Sequence, residues 1–308
     1  MNKAASIKNR LKNLAQSQGR SYQNLLQTYA LERTIYRLSI SPYIKQFTLK
    51  GGIFLYGLFE GDFPRSTADI DLLGQHVSND IDTLKAIFLT IFSISCDDGL
   101  DFALDTFDIR PITILKVDPG ARLTITANLE RTKILVTVDI GFGDQIIPEQ
   151  VQMDFPVLLN DPVPKIYGYS KESVIAEKLE AITSLGNVNS RYKDFFDIFI
   201  LAHFFSFSGE LLQKAILETF TQRQTPFQPL IAFEDSFIED PIHQRRWKAF
   251  ITKKNVQTEA AFSEVIAYLK IFLIPIIQSI QENKSFTQTW NPSKQSWEAY
   301  AKSHFTPE

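Results

Sequence analysis

Residues 49–74 read LKGGIFLYGLFEGDFPRSTADIDLLG, and the reading of this stretch decides the fold. A glycine pair, Gly51-Gly52, precedes an apolar segment over 53–60, and ADIDLLG follows at 68–74. Periodicity alone allows helix or strand for 53–60. A helix that begins on the glycines fits better, because the next strand candidate starts at Ala68. In ADIDLLG, Ile70 and Leu72 share one face of a strand, and Asp69 and Asp71 share the other. Carboxylates are rare in strands. Two on one side call for solvent, a basic side chain or a metal ion.

Working outward, residues 6–40 carry Leu11, Leu14, Leu25, Leu26, Tyr29, Leu31 and Ile35 at helical spacing, broken near SQGRS at 17–21. Residues 78–95 predict a further helix. Three strand-like pieces follow at 101–113, 121–130 and 132–144, with a hairpin turn signal at Asp118-Pro119-Gly120. In the last piece Ile134, Val136, Val138 and Ile140 face one way, and Leu135, Thr137 and Asp139 the other. After the Pro-rich stretch 156–164, helices are predicted over 171–185, 191–205, 208–222, 241–252 and 257–281. Ser170 is the expected N-cap of the first and Gly186 its stop. The expectation is an α+β chain: a mixed or antiparallel sheet with flanking helices over 1–160, then a mostly helical domain over 161–308 that completes the site.

Composition narrows the class. The chain has 308 residues, 44% hydrophobic and 22% charged, with 25 Phe, which is enough apolar material for a packed core. A net charge of -3 does not mark a general nucleic-acid binder, although a local basic surface remains compatible with it. Cys96 is the sole cysteine, so neither an internal disulfide nor a cysteine zinc cluster can form. The first 21 residues lack the apolar core of a secretory signal. The apolar run 267–280 reads as too short and too Pro-interrupted to span a bilayer. A cytoplasmic protein without membrane contact is the expectation.

The candidate chemistry centres on Asp69 and Asp71. Hard oxygen ligands side by side suit a divalent cation, and Asp139 is a candidate third ligand if its strand pairs nearby. Two Mg²⁺ ions held in this way would support phosphoryl or nucleotidyl transfer. Gly51 and Gly52 allow backbone N–H groups at a helix start to approach phosphate closely, and Arg65, Ser66 and Thr67 offer further phosphate contacts. On the helix 171–185, Lys178 lies between Val174 and Ile182, where a cation is costly unless it meets an anion such as a triphosphate. Glu177 and Glu180 read as a solvated face. Asp194 is a candidate to orient Lys178 or to act as general base, while Lys193 and Asp197 have the spacing of a plain helix pair. The basic stretch HQRRWKAFITKKN at 243–255, with Trp247 for base stacking, is a candidate RNA-facing surface.

Several motifs in order resemble the AbiEii/AbiGii-type toxin nucleotidyltransferases, whose fold is of the DNA-polymerase-β type. Lys50, Gly51, Gly52, Arg65, Thr67, Asp69 and Asp71 match the opening pattern, and VTVDIGFGD at 136–144 is similar to the following strand, with Asp139 in the carboxylate position. Glu177, Lys178, Asn189, Arg191, Lys193, Asp194 and Asp197 match a later block, so the resemblance runs from about residue 10 to 200. It implies an NTP- and Mg²⁺-dependent nucleotidyltransferase, the toxin of a toxin–antitoxin or abortive-infection system with a cognate antitoxin. Some relatives add nucleotides to the 3′ end of tRNA, and others bind GTP. It also implies that Asp69 and Asp71 bind Mg²⁺ with Asp139 as third candidate, that Gly51, Gly52, Arg65 and Lys178 hold the triphosphate, and that Asp194 serves as base or lysine-orienter. Gly52 stands where the wider superfamily has serine, so Ser66 or Thr67 would supply that hydroxyl. Alternatives are transfer to a protein hydroxyl or a small molecule, and a non-catalytic nucleotide-binding module.

Overall fold

A computed structural model describes residues 3–112, 120–254 and 256–299. The chain divides into two compact units. The first holds the residues up to Asp144 and Gln150–Tyr169; the second holds Gln145–Glu149 and the residues from Ser170 onward.

In the first unit, helices α1 (Lys3–Gln18) and α2 (Tyr22–Ser39) precede β1 (Phe47–Lys50), α3 (Gly51–Leu58), β2 (Ile70–Gly74) and α4 (Ile81–Phe92). The strands β3 (Leu100–Ile112), β4 (Gly120–Leu129), β5 (Thr132–Gly141), β6 (Val151–Asp154) and β7 (Lys165–Gly168) complete it. They form one mixed seven-stranded sheet in the order β3-β4-β5-β2-β1-β7-β6. Strand β2 runs parallel to β5 and antiparallel to β1. The predicted helix start on the glycine pair and the strand at IDLLG are both present. Of the turn signal at 118–120, all but Gly120 lies outside the described residues. Strands β6 and β7 flank the Pro-rich stretch and have only four residues each, too few for alternation to stand out.

Alternation explains the layering. Leu49, Leu72, Ile140 and Ala121 are register partners across β1, β2, β5 and β4, and all four are at most 1% exposed. Helix α2 packs on β5 and β7, and α4 packs on β3. From Thr28 to Leu38, α2 is buried on nearly every side, and the charged residues Glu32, Arg33 and Arg37 are buried with it. Such charges must be paired where they sit. Arg37 forks onto Asp98, at 2.5 Å and 3.1 Å, and its Nε donates to the Ile94 carbonyl at 3.0 Å. Its guanidinium also lies over the Phe102 ring. The Tyr29 hydroxyl donates to the Asp98 carbonyl. The loop before β3 is thereby tied to the central helix.

The second unit contains α5 (Lys171–Leu185), α6 (Tyr192–Phe204), β8 (Phe207–Ser208), α7 (Gly209–Gln222), α8 (Asp235–Ile238), α9 (Pro241–Lys254), α10 (Phe262–Gln281), β9 (Thr289–Asn291) and β10 (Ser296–Glu298). It is mostly helical, as expected, with a small sheet β10-β9-β8 whose strands of two or three residues are too short to announce themselves. Ser170 caps α5 by accepting from the Ser173 N–H, and Gly186 ends it at φ +48°. Two expectations need correction. Helix α10 is unbroken through Pro275 and, at 20 residues, is long and apolar enough to cross a membrane by length and composition. Its Phe262, Ile266, Leu269, Phe272, Leu273 and Ile276 are nonetheless fully buried in this unit, so its apolarity is that of a core helix. Trp247 does not face solvent: it is 2% exposed, donates to the Ala260 carbonyl and packs on Tyr192 and Phe262. It is therefore not offered to a nucleic-acid base.

Asp98→Ala leaves the Arg37 guanidinium buried without its carboxylate and is expected to destabilise the first unit by about 3–5 kcal/mol. The double substitution Asp98→Leu/Arg37→Met is expected to recover much of that loss. Denaturant melts followed by far-UV circular dichroism measure both.

Candidate active site

Asp69 and Asp71 are placed by strand β2, which exists because Ile70, Leu72 and Leu73 are buried in the sheet. Asp71 is the register partner of Asp139 on β5. One carboxylate oxygen from each of Asp69, Asp71 and Asp139 lies within 4.8 Å of the others, and all three residues are half-buried. The pairing continues outward in both directions. Lys50 on β1 partners Asp71, and Arg122 on β4 partners Asp139. Register partners project from the same side of a sheet, so Arg122, Asp139, Asp71 and Lys50 form one row across four strands.

The cations answer the repulsion. Arg122 donates to both oxygens of Asp139, from Nε at 2.7 Å and Nη2 at 2.6 Å. The hydrogen bonds and charge of Asp139 push the Arg122 guanidinium pKa up, and Asp69 and Asp71 add to the effect. Lys50 Nζ pairs with Asp144 at 2.8 Å and lies over the Tyr169 ring. Sequence reading did not single out Arg122. The signal was available in the β4–β5 hairpin: seven steps back from the Leu129–Thr132 pair along each strand (129 to 122, 132 to 139) lead to Arg122 and Asp139.

The glycine pair borders this row. Gly51 has φ +64°, and a Cβ there would lie 2.1 Å from Asp71 Oδ2. Both facts restrict the position to glycine. Gly52 backs onto Thr67 Oγ1 and the Arg65 guanidinium, at 3.0 Å and 3.1 Å from an added Cβ. Arg65 is 8% exposed and lies over the Phe63 ring. Ser66 is half-buried and its carbonyl accepts from Arg65 Nη1. Gly51 and Gly52 open α3, whose first N–H groups have no partner within the helix and carry its positive dipole end. The first unit thus brings together Gly51, Gly52, Arg65, Thr67, Asp69, Asp71 and Asp139. Three hard carboxylate oxygens at this spacing fit a divalent cation, whose ligand distances are roughly 2.0–2.6 Å. The N–H groups and Arg65 fit phosphate.

In the second unit Lys178 is 9% exposed. Its ammonium meets Asp194 Oδ1 at 2.8 Å and Asp197 Oδ2 at 2.7 Å, both carboxylates being fully buried. Asp194 Oδ2 accepts from Arg191 Nε at 2.5 Å. Burial pushes the Asp194 carboxyl up, but Lys178 and Arg191 outweigh it and hold it at about 2. Asp197, which had the spacing of a plain pair with Lys193, takes Lys178. Nor is Glu180 on a solvated face: it is 6% exposed and binds Arg223 at 2.7 Å and the Thr225 hydroxyl at 2.6 Å.

Residues 33–268 match the family described as nucleotidyl transferase AbiEii toxin of type IV toxin–antitoxin systems. A crystal structure from H. pylori, described as a candidate nucleotidyltransferase, is similar at 16% identity and TM-score 0.49, covering 86% of this chain and 100% of its own. The structure of JHP933 from Helicobacter pylori is similar at 16% identity and TM-score 0.49, covering 85% and 95%. A comparison with curated proteins finds no match.

Gly51→Ala, which meets both a left-handed φ and the Asp71 carboxylate, is expected to cost the first unit about 1–3 kcal/mol. Gly52→Ala is expected to cost less, because its φ is not left-handed and the atoms an added Cβ meets, Thr67 Oγ1 at 3.0 Å and the Arg65 guanidinium at 3.1 Å, are side-chain ends. Parallel urea melts rank the two. All three tryptophans, Trp247, Trp290 and Trp297, lie in the second unit, so their emission isolates its stability. The lowered Asp194 pKa contributes stability that is present above about pH 4 and is lost as pH falls toward 2. Between those limits the second unit is expected to lose on the order of 2 kcal/mol more than its Asp194→Asn variant, read by tryptophan-monitored melts at each pH.

Proposed function

Because the chain belongs to the AbiEii family of nucleotidyl transferase toxins, a nucleotidyltransferase family of type IV toxin–antitoxin systems, we propose that it transfers a nucleoside monophosphate from an NTP to the 3′ end of an RNA, with tRNA as the leading acceptor. The observation that carries this reading is the Asp69–Asp71–Asp139 cluster beside the Gly51 turn. Asp69, Asp71 and Asp139 are the residues that would hold Mg²⁺. When bound, the ion supplies charge compensation to the reacting phosphate and its attacking and leaving oxygens.

The chain's own groups do the rest. The Gly51 and Gly52 N–H groups, Arg65 and the Thr67 hydroxyl bind and orient the triphosphate, with Ser66 beside them. Glycine at 52 removes the hydroxyl that a serine would offer, and Thr67 Oγ1 against that position supplies one instead. The RNA 3′-hydroxyl gives up its proton to solvent as its oxygen forms a bond to the α-phosphorus, the bond from that phosphorus to the α–β bridging oxygen breaks, and pyrophosphate leaves. In the second unit we assign Lys178 to substrate phosphate and Asp194 to orienting Lys178. Asp194 is a weak proton acceptor with a pKa of about 2 and both oxygens engaged, which favours the orienting role over that of general base. Support for an RNA acceptor comes from α9, which has no acidic residue and exposes Arg245, Arg246, Lys248 and Lys253. A cognate antitoxin and a cytoplasmic location belong to the same proposal, as does a role in abortive infection.

Purified protein incubated with each labelled NTP, Mg²⁺ and total RNA is expected to label RNA, and Asp71→Asn is expected to lower that labelling about a thousandfold while melting like wild type. Label on protein alone, or a variant as active as wild type, would sink the reading.

A further inference from the structure

Arg122 belongs to the charged row, has no task in the proposed chemistry, and sits directly on a proposed metal ligand. It occupies both oxygens of Asp139 through a two-pronged contact. Its side chain is 57% exposed, whereas the Asp139 side chain is 19% exposed. The arginine can therefore move more freely than the carboxylate it holds. A guanidinium binds phosphate with the same fork that it offers to a carboxylate. While it sits on Asp139, it also places a positive charge beside the oxygens that would ligate a cation.

We propose that Arg122 is a positioning residue, a tethered counter-ion that holds Asp139 until a triphosphate arrives and then transfers its fork to phosphate, so that nucleotide makes Asp139 available as a metal ligand. This rests on the assignment of Asp69, Asp71 and Asp139 to a divalent cation. The same residue then opposes metal binding in the absence of nucleotide and favours binding of the polyphosphate. A simple tie between strands β4 and β5 would do neither. Lysine at this position would keep the charge but lose the fork.

The test uses two probes separately on the full chain. Mn²⁺ alone is titrated by electron paramagnetic resonance, and inorganic tripolyphosphate alone by calorimetry, with wild type and the Arg122→Gln, Arg122→Lys and Asp71→Asn variants. Arg122→Gln is expected to bind Mn²⁺ about tenfold more tightly and tripolyphosphate about tenfold more weakly, since it loses charged hydrogen bonds of that order. Arg122→Lys is expected to fall between wild type and Arg122→Gln on both probes. Unchanged or weaker Mn²⁺ binding by Arg122→Gln, with Asp71→Asn abolishing it, overturns this inference and leaves the metal assignment standing. Mn²⁺ binding that Asp71→Asn leaves intact overturns the metal assignment itself.

Discussion

Carboxylates on neighbouring strands cannot share a few ångströms of sheet without a cation beside them, and that constraint organises the first unit. Parallel pairing of β2 with β5 sets Asp71 against Asp139, and Asp69 joins them at the strand entrance. On one flank Arg122 forks onto Asp139; on the other Lys50 takes Asp144. Asp69, Asp71, Asp139 and Asp144 face three nearby cations, Arg122, Lys50 and Arg65, so the named groups lean negative. That bias suits a divalent cation. The apolar faces of the same strands, with Leu49, Leu72 and Ile140 fully buried, hold the charges in register.

The glycine pair belongs to the same constraint. Gly51 lets the chain leave β1 and enter α3 in a left-handed turn against the Asp71 carboxylate, where any side chain would collide. The helix start and the acidic cluster are thus held close together by backbone, which moves less than side chains do. The second unit handles charge differently. Lys178, Asp194 and Asp197 form a buried network, with the half-exposed Arg191 side chain closing onto Asp194, and removing any of the three buried groups strands a partner. Arg122, on the exposed side of the first unit, is under no such constraint, and this freedom makes a change of partner inexpensive.

How much could be read without coordinates depended on whether the signal was local. Alternation in IDLLG and in VTVDIG was enough to put Asp71 and Asp139 on the polar sides of their strands, and capping residues marked the ends of α5. The position of Trp247 is not legible in the sequence, because a charged neighbourhood says nothing about which side of a helix is buried: Arg245, Arg246 and Lys248 point out while His243 and Trp247 point in. The reading of Glu180 as part of a solvated face fails for a related reason, since its partner, Arg223, lies far along the chain.

The sequence by itself determined the elements and the chemistry on offer: a glycine-led helix, acidic strands, a helical second half and a family assignment carried by ordered motifs. These are readable because hydrophobic periodicity, glycine conformations and capping act over a few residues. Only the tertiary structure decided that β2 lies parallel to β5 and that Lys178 is held by two buried carboxylates. Those are pairings between segments 16 to 68 positions apart (Lys178 to Asp194, Asp71 to Asp139). Folding selects them by burial and charge compensation across the whole unit, which no local pattern records.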